Sequence, residues 1–419
     1  MAIIITIFKI IFILGFLVLI HEGGHFLVAK LCKITVHEFA IGFGPTIWSK
    51  QGKETKYELR LIPLGGFVNM EGEEERSDKE GSFSKASIPK RIAVVAAGAT
   101  VNIVFAVIVY FILMSSVGNN IAPIVDETIA NTNAQSVGIQ KNDKILKING
   151  KKIRYKKDLD RELEKSNGEE LDILIERNGE KLSFKFAPKE EKYNYTGIAI
   201  SNEKEPSTKI LAVYPESPAE MQGIKENDLI LEINQVDVKN NPNKLLEEIN
   251  KDIGSKITFK VERNEKILDV EVTPKINKQY ILGVYLQKAE NNFKNNVYYA
   301  FLETGDFAFS IIDNIKMLFT GNVSINQMMG PIGIGEVVAE TNGFADFIYI
   351  LALISISLGF TNLLPFPPLD GGKIVILLIE GIRKKPLKEK TEINIQMIGF
   401  ALLIGLSIYV TYNDILRLF

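Results

Sequence analysis

Cysteine is almost absent from this chain, since Cys32 is the one cysteine among 419 residues. A single thiol excludes a disulfide scaffold and the paired cysteines of a CxxC metal or redox site. Histidine is nearly as scarce, so any chemistry that needs imidazole must use His21, His25 or His37. An excess of one charge is also lacking, because 49 Lys and Arg face 51 Asp and Glu. Without a basic excess we expect no nucleic-acid partner.

Long, nearly uncharged runs are present at both ends of the chain, whereas its middle is rich in Lys, Glu and Asn. Four runs are long enough to cross a bilayer core of about 30 Å at about 1.5 Å per helical residue. They extend over residues 2–31, 92–117, 347–364 and 393–410. A cleaved signal peptide is the alternative for the first run, but this run lacks a basic start and a small-x-small cleavage site. We therefore expect four membrane helices.

The orientation of these helices is predicted from basic residues between the third and fourth runs. These residues are Arg383, Lys384, Lys385, Lys388 and Lys390. Loops rich in Lys and Arg stay in the cytoplasm. Both termini and residues 118–345 are then expected on the opposite side of the membrane.

An internal repeat with an offset of 85 residues lies between the second and third runs. The segment that contains Gly138 and Asp143 recurs around Gly223 and Asp228. Each copy predicts a Gly turn, a short strand, a second turn, a helix and two further strands. The predicted helices are 159–166 and 243–249. Both copies resemble PDZ domains, which bind extended chain ends by strand addition. Ligand binding, a steric gate and a plain folded spacer are the alternative roles.

The region after the repeat has apolar residues at helical spacing from Val297 to Phe319. This pattern predicts a helix that either lies on the membrane surface or packs against other helices. The chain is thus predicted to have five parts. They are an N-terminal membrane domain (1–119), a first PDZ domain (120–200), a second PDZ domain (201–290), an amphipathic segment (291–344) and a C-terminal membrane domain (345–419).

A metal site is predicted from the motif His21-Glu22-Gly23-Gly24-His25 in the first run. Residues four apart share one face of a helix, so both imidazoles can bind one ion. The alternative, two histidines satisfied by hydrogen bonds in the protein core, requires two costly polar groups in a membrane span. Two imidazoles with a carboxylate favour Zn²⁺.

The third ligand is expected from the segment 362–372, with the sequence NLLPFPPLDGG. Three prolines within four residues cannot continue a helix. Irregular backbone at membrane depth is tolerated where it lines a cavity or is buried in protein. We therefore expect Asp370 to face a polar pocket, the alternative being a solvated Asp in a cytoplasmic turn.

These motifs together resemble the bacterial site-2 proteases, the intramembrane zinc metalloproteases of peptidase family M50. The similarity is greatest to the branch of the regulator-of-sigma-E protease, which has two tandem PDZ domains. Shorter matches occur at residues 42–44, 63–66, 97–102 and 330–334. Two residues differ from the family pattern, Ala99 in place of Pro and Lys373 in place of His or Arg. The implied fold class is a polytopic α-helical membrane protein with a membrane-associated β-hairpin and two extracytoplasmic α+β PDZ domains.

The resemblance implies that zinc is held by His21, His25 and Asp370, with Glu22 as the general base. It also implies that Asn362 and Asn102 hold the substrate backbone, together with Gly42, Gly44 and Pro365. For the two asparagines, a hydrogen bond between helices is the alternative. Residues 36–68 are expected to form the β-hairpin, which pairs with an unwound transmembrane substrate.

The implied partners are transmembrane protein substrates, the lipid bilayer and an upstream site-1-type protease that trims the substrate first. The implied location is the bacterial cytoplasmic (inner) membrane, with the active site toward the cytoplasm. Two other classes of protein are the alternatives. A membrane-anchored PDZ adaptor explains the repeat but not the histidine motif. A metal transporter explains the histidines but not the repeat.

Overall fold

The computed structural model of the chain describes residues 2–73, 75–118, 120–200, 207–214, 216–320, 330–339, 341 and 343–417. Within these residues the chain divides into two compact units, residues 1–120 with 290–419, and residues 121–289. The first unit contains seven helices among the described residues. They are α1 (Ala2–Leu31), α2 (Ile88–Val117), α7 (Phe293–Phe319), α8 (Pro331–Ala339), α9 (Phe344–Asn362), α10 (Asp370–Arg383) and α11 (Glu389–Arg417).

Four of these helices, α1, α2, α9 and α11, are long and apolar enough to cross a membrane. Their apolar side chains pack at three places. One core joins α1 to α8 and α9 through Ile13, Leu17 and Leu351. A second joins α2, α7 and α9. The third surrounds Ala29 and Val94 and includes residues of α10. The predicted spans lie within these four helices to within a few residues, because each is a long local run of apolar side chains.

The helix predicted near residues 297–319 forms as α7, and it packs against α2 and α9. Ala300, Thr304 and Ala308 are buried on its inner face, and Phe301 and Phe309 are exposed on the other side. One face therefore belongs to the helix core, while the aromatic face is left uncovered. Residues 321–329, 340 and 342 of the predicted amphipathic segment lie outside the described residues.

A β-hairpin follows α1 and consists of β1 (Val36–Gln51) and β2 (Lys56–Met70). The register changes several times, and Ile41 lies beside both Leu59 and Gly66. Gly42 has a φ of +89° at one of these irregular positions, a conformation that a side chain disfavours. Large apolar side chains are exposed on the hairpin. They are Phe43, Ile47, Trp48, Leu59, Leu61 and Ile62.

Between α9 and α11 the sequence predicts a cytoplasmic loop that carries the basic residues of 383–390. The structure adds a helix that was not predicted there, α10, which begins at Asp370 directly after a non-helical segment, residues 363–369. This short helix packs against α2. Its polar residues Lys373 and Glu380 interrupt the apolar run, which is why hydropathy alone does not mark it as a helix.

The second unit contains the strands β3 to β16 with the short helices α3 (Asn133–Ser136), α4 (Lys156–Ser166), α5 (Pro218–Met221) and α6 (Pro242–Asn250). The strands of the first half are β3 (Ile121–Thr128), β4 (Lys144–Ile148), β5 (Lys151–Lys152), β6 (Leu171–Arg177), β7 (Glu180–Phe186), β8 (Lys189–Tyr195) and β9 (Ile198–Ile200). Those of the second half are β10 (Ile210–Val213), β11 (Leu229–Ile233), β12 (Val236–Asp237), β13 (Ile257–Arg263), β14 (Lys266–Val272), β15 (Lys275–Ile281) and β16 (Val284–Lys288).

These strands form two small sheets of two strands each, one of which pairs β9 with β10, and two larger sheets that resemble each other. The strand order of the larger sheets crosses the predicted boundary between residues 200 and 201. One sheet has the order β16-β3-β4-β6-β7, and the other has the order β12-β11-β13-β14. Strand β16 comes after the second repeat in sequence, yet it pairs with β3 at the start of the first. Strands β8 and β15 pair with each other. The first module therefore receives its last strand from beyond the second, which is nested within it.

The internal repeat is visible as a repeated contact. In the first copy Arg177 donates to both carboxylate oxygens of Asp143, at 2.7 Å each, and to the Gly138 carbonyl. In the second copy Arg263 does the same with Asp228, at 2.6 Å, and with the carbonyl of Gly223. Both aspartates are fully buried. Each ion pair fixes the Gly turn that opens its copy against its own sheet.

Candidate metal centre

His21 and His25 lie one turn apart near the end of α1, and Asp370 is the first residue of α10. The fold brings Asp370 to the two histidines, although it lies 345 residues after His25 in sequence. The Nε2 atoms of the two histidines are 3.2 Å apart. Oδ2 of Asp370 lies 3.4 Å from Nε2 of His21 and 3.5 Å from Nε2 of His25. These are the residues predicted from sequence to hold the metal.

The spacing of these three atoms fits zinc. In a tetrahedral site with Zn–N bonds of about 2.0–2.1 Å, neighbouring ligand atoms are about 3.3–3.4 Å apart. The three observed distances, 3.2, 3.4 and 3.5 Å, scatter around this value. Three protein ligands also leave the fourth position for water, as in catalytic rather than structural zinc sites. The donor set and its spacing therefore both suit a catalytic ion.

The carboxylate of Asp370 gives a second indication of a ligand. Its Oδ2 atom is buried and has no hydrogen-bond partner, and a buried polar atom without a partner is costly. The start of a helix also favours negative charge. The chain folds back over this helix start, and a Cβ on Gly371 would lie 2.2 Å from the Leu364 carbonyl oxygen. Glycine is required there because the backbone of the loop occupies the space of a side chain.

Helix α2 contacts the histidines at three positions four residues apart. The Val94 carbonyl accepts a hydrogen bond from Nδ1 of His25 at 2.8 Å. The amide of Asn102 lies 3.3 Å from Nδ1 of His21. Midway between them, a Cβ on Gly98 would lie 2.4 Å from Nε2 of His25. One face of α2 therefore supports both imidazoles, because residues at i, i+4 and i+8 point the same way.

Within the histidine motif the two glycines have different surroundings. A Cβ on Gly24 would lie 2.7 Å from the backbone oxygen of Ala97 and 3.0 Å from Cα of Gly98. A Cβ on Gly23 would meet nothing within 4 Å. The sequence predicts that both glycines allow a close approach. In the structure Gly24 allows the contact of α1 with α2, and Gly23 does not take part in it.

Glu22 is half-buried and lines a cavity of about 720 Å³ together with the three candidate ligands. The cavity is bounded by α1, β2, α2, α10 and the start of α11. Gly66 of β2 leaves room for Glu22, since a Cβ there would lie 3.1 Å from the Glu22 Cγ. A carboxylate next to a ligand and open to a polar cavity is suited to accept a proton from water.

Other predicted residues are less close to this group. Asn362 is half-buried at the end of α9, and Pro365 is exposed in the loop that follows. Gly42 and Gly44 lie in β1 with positive φ. Asn102 is fully buried, and its amide faces His21, which corresponds more nearly to the alternative of a bond between helices. Its contact with substrate stays a prediction that this arrangement does not favour.

Two ion pairs on the cavity wall were not predicted from sequence. Arg91 of α2 and Glu380 of α10 form two hydrogen bonds of 3.1 and 2.5 Å. Lys373 of α10 donates to Glu73 at 2.7 Å. Each pair joins charges that are about 300 residues apart, as 91 and 380 or 73 and 373. No local pattern signals such pairs. Both tie α10 to the rest of the unit and so help to hold Asp370 in place.

The site and the apolar helices define a class of protein, a metalloprotease built on membrane helices. The comparisons with known proteins agree with this class. A sequence model described as peptidase family M50 matches residues 9–406, and the chain belongs to this family. It is a zinc metalloprotease, since relatives that are named zinc metalloproteases match it over nearly the whole length of both chains.

Three relatives illustrate the similarity. The regulator of sigma E protease of Haemophilus influenzae is 30% identical, over 96% of each chain. The probable protease eep of Enterococcus faecalis is 32% identical over 99% of each chain. The zinc metalloprotease RasP of Shouchella clausii is 30% identical over 99% of each chain. The chain is thus related to these proteins from end to end.

Among solved structures, the HtrA3 PDZ domain bound to a phage-derived ligand is 19% identical and covers 22% of this chain and 93% of its own, with a TM-score of 0.19. A PDZ domain protein from Parabacteroides distasonis is 16% identical and covers 26% of this chain and 37% of its own, with a TM-score of 0.20. At such TM-scores these likenesses do not decide the fold of the second unit.

Proposed function

We propose that the protein is an intramembrane zinc endopeptidase that cleaves single-pass transmembrane proteins within the bilayer. The observation that carries the proposal is the spacing of 3.2, 3.4 and 3.5 Å among the ligand atoms of His21, His25 and Asp370. The group is built at the end of an apolar helix, where ionisable residues are rare unless they have a function. Family membership supports the reaction class, and the four apolar helices support a location in the membrane.

In this proposal the two imidazoles and the Asp370 carboxylate hold the zinc ion. When bound, zinc makes its water a nucleophile at neutral pH and polarises the scissile carbonyl. The Glu22 carboxylate accepts the proton of the attacking water and passes it to the leaving amine. Asp370 also keeps the negative charge of the site at a helix start, where the helix dipole favours it.

A transmembrane substrate must be unwound before cleavage, because its peptide carbonyls are hydrogen-bonded within a helix. The hairpin of β1 and β2 suits this task. It has only two strands, so outer edges remain to pair with an extended segment, as in β-strand addition. Its exposed apolar side chains suit contact with lipid or with an apolar substrate. Asn362 and Pro365, close to Asp370 in sequence, are proposed to hold the substrate backbone.

The second unit is proposed to be a pair of PDZ domains outside the cytoplasm, acting as a size filter or as a binder of new chain ends. The membrane helices are proposed to lie in the bacterial inner membrane, with the active site toward the cytoplasm. Substrates would be trimmed first by an upstream site-1-type protease. Anti-sigma-factor-like proteins and signal-peptide remnants are the proposed substrate classes, and the name of one relative, regulator of sigma E protease, supports the first.

The ligand assignment is tested by the zinc content of the purified chain. The wild-type protein is expected to hold one zinc, and His25→Ala is expected to lose it. His37→Ala is the matched control, because His37 is the third of three histidines, lies in β1 and pairs with Glu71. Loss of zinc from both variants, or from neither, would contradict the assignment, and a wild-type chain that holds no zinc would favour a PDZ adaptor.

The catalytic role of Glu22 is tested with Glu22→Gln and a tagged single-pass membrane peptide. We expect zinc to be retained and cleavage to fall by about 10²–10⁴-fold, the usual contribution of a general acid or base. Glu75→Gln, at the wall of the same cavity, is expected to cleave like wild type. Cleavage by the Glu22→Gln variant at the wild-type rate would exclude the role.

A further inference from the structure

Asn102 is the polar side chain that faces His21 from α2. It is fully buried, and its amide nitrogen Nδ2 lies 3.3 Å from Nδ1 of His21. Its amide oxygen Oδ1 is also buried and has no hydrogen-bond partner. A buried amide whose only acceptor atom is unused carries a cost, and such a group usually has a specific role.

The two histidines need the same proton arrangement if both Nε2 atoms bind one ion. Nε2 must then be free of hydrogen, so the hydrogen of each neutral imidazole resides on Nδ1. For His25 this is already arranged, because Nδ1 donates to the Val94 carbonyl at 2.8 Å. For His21 an acceptor is needed at the position of the Asn102 amide. An amide NH₂ group in that position cannot accept the hydrogen.

An asparagine amide has nearly the same shape when it is rotated by 180° about its last bond, since oxygen and nitrogen exchange places. The rotation brings Oδ1 to the place of Nδ2, within hydrogen-bond distance of His21 Nδ1. We propose that Asn102 is a positioning residue that accepts the Nδ1 hydrogen of His21 and thereby directs the Nε2 lone pair of His21 toward the metal. The metal-bound form selects this orientation of the amide.

The helix geometry makes this arrangement the counterpart of the one at His25. Val94 and Asn102 are eight residues apart on α2, and Gly98 lies between them against both imidazoles. Helix α1 presents its two histidines four residues apart. The backbone carbonyl of Val94 supports the ring of His25, and the Asn102 side chain supports the ring of His21. A substitution removes a side chain and not a backbone carbonyl, so only the support of His21 can be tested by mutation.

Helix α9 holds Asn102 in place. Ser355 of α9 donates to the backbone carbonyl of Asn102 at 2.9 Å. A Cβ on Gly359 would lie 3.4 Å from the Asn102 Cβ. The amide is therefore confined by α9 on one side and faces His21 on the other. Hydrogen bonds to metal-binding histidines fix the ring orientation and the tautomer, and their loss usually weakens metal binding by about 10–100-fold.

The experiment measures zinc affinity of the full-length purified chain by competition with a chromophoric chelator. Asn102→Ala removes the acceptor, and Asn102→Asp supplies an acceptor that cannot donate when ionised. We expect Asn102→Ala to bind zinc about 10–100-fold more weakly than wild type. Asn102→Asp should bind zinc more tightly than Asn102→Ala, because its carboxylate can accept the Nδ1 hydrogen of His21. Thr100→Ala is the control and should bind zinc like wild type, since Thr100 is exposed on the same helix and its hydroxyl donates only to the Ala96 carbonyl one turn away.

Equal zinc affinity in wild type and Asn102→Ala would overturn the inference. So would a folded Asn102→Asp that binds as weakly as the Ala variant, because the amide would then act as a donor or by packing. Thermal unfolding of the zinc-free proteins shows which variants are folded. If the Ala variant fails to fold, Asn102→Leu, which restores the apolar volume, replaces it in the comparison.

This inference rests on the proposed ligand role of His21, and the experiment separates the two. A wild-type chain that binds no zinc, or a His25→Ala variant that keeps it, overturns the ligand assignment and with it the role of Asn102. A wild-type chain that binds zinc, with equal binding by Asn102→Ala, overturns only the role of Asn102.

Discussion

Gly98 of α2 lies directly against His25 of α1, where a Cβ would come within 2.4 Å of Nε2. The same added carbon would lie 2.8 Å from Nε2 of His21. Side-chain carbons do not approach nitrogen this closely, so either the imidazoles or the helices must move. The absence of a side chain at Gly98 is therefore a condition for both ring nitrogens to face one ion.

The first prediction concerns zinc binding by Gly98→Ala. We expect its zinc affinity to fall by about tenfold or more, the range seen when the support of metal ligands is disturbed. The fold should persist, because the gain in helix propensity of about 1 kcal/mol offsets part of the overpacking. Zinc titration and thermal unfolding measure the two effects. Unchanged zinc affinity in a folded variant would show that the rings tolerate the extra carbon.

The second prediction compares the two glycines of the histidine motif. Gly24→Ala should destabilise the protein by about 1–3 kcal/mol, because its methyl group meets the backbone of Ala97 at 2.7 Å and overpacking has this cost. Gly23→Ala has open space and should be neutral or stabilising by up to about 1 kcal/mol. Denaturant or thermal unfolding in detergent measures both. Equal destabilisation by the two substitutions would contradict the described contact of α1 with α2.

The third prediction concerns the Arg91–Glu380 pair between α2 and α10. Both side chains are largely buried, with 10% and 16% of their surface exposed. Removing one partner leaves a buried charge unpaired and should cost about 3–5 kcal/mol. Replacing both by apolar residues, as in Arg91→Met with Glu380→Leu, should recover much of that loss. The free energies of unfolding of the two single variants and the double variant measure it.

Additive effects in this cycle would show that the two charges do not interact. We also expect loss of the ion pair to weaken zinc binding, because the pair holds α10 and Asp370 is the first residue of this helix. The single variants should therefore lose zinc affinity in parallel with stability. The double variant should regain both.

The fourth prediction concerns the response of the hairpin to acid. Hydrogen bonds from Lys56 and Arg60 hold the pKa of the Glu58 carboxyl down at about 2, despite the opposing effect of burial. A lowered pKa in the folded state means that the ionised form stabilises the hairpin. This stabilisation is fully present above the ordinary carboxyl pKa of about 4.3 and is lost as the pH falls through about 2.

Trp48 is the single tryptophan of the chain and lies opposite Leu59, next to Glu58. Its fluorescence therefore reports on the hairpin without labelling. We expect the wild-type signal to be steady near neutral pH and to change as the pH falls from about 4 to about 2. Glu58→Gln should lack this transition, and Glu54→Gln, at the exposed pair with Lys30, should keep it. An identical acid transition in Glu58→Gln would assign it to other carboxylates.

Much of the first unit is predictable from sequence because its signals are local. A span needs only a sufficient run of apolar side chains, and the pairing of His21 with His25 needs only the pitch of one helix. Asp370 could be proposed because prolines forbid a helix just before it. By contrast, α10 is hidden by Lys373 and Glu380, whose partners are Glu73 and Arg91, far away in sequence.

The second unit shows the same division. The repeat and its strands follow from an internal match in the sequence. The pairing of β16 with β3 could not be predicted in this way. Backbone hydrogen bonds are the same for any partner strand, so the sequence of β3 does not indicate which distant strand pairs with it. Similarly, the sequence allows Asn102 to be a residue that holds substrate. The structure shows that its side chain is buried between α1 and α9.

By itself the sequence determined that four long apolar segments are helices, that the central region is duplicated, and that two histidines share a helix face. Tertiary structure alone decided that Asp370 lies within 3.5 Å of both histidines and that α2 supports them from behind. The physical reason is the distance in sequence over which each signal acts. Periodicity and hydropathy are properties of one short segment of the chain. A metal centre needs ligands from different segments, and these come close to one another only after folding.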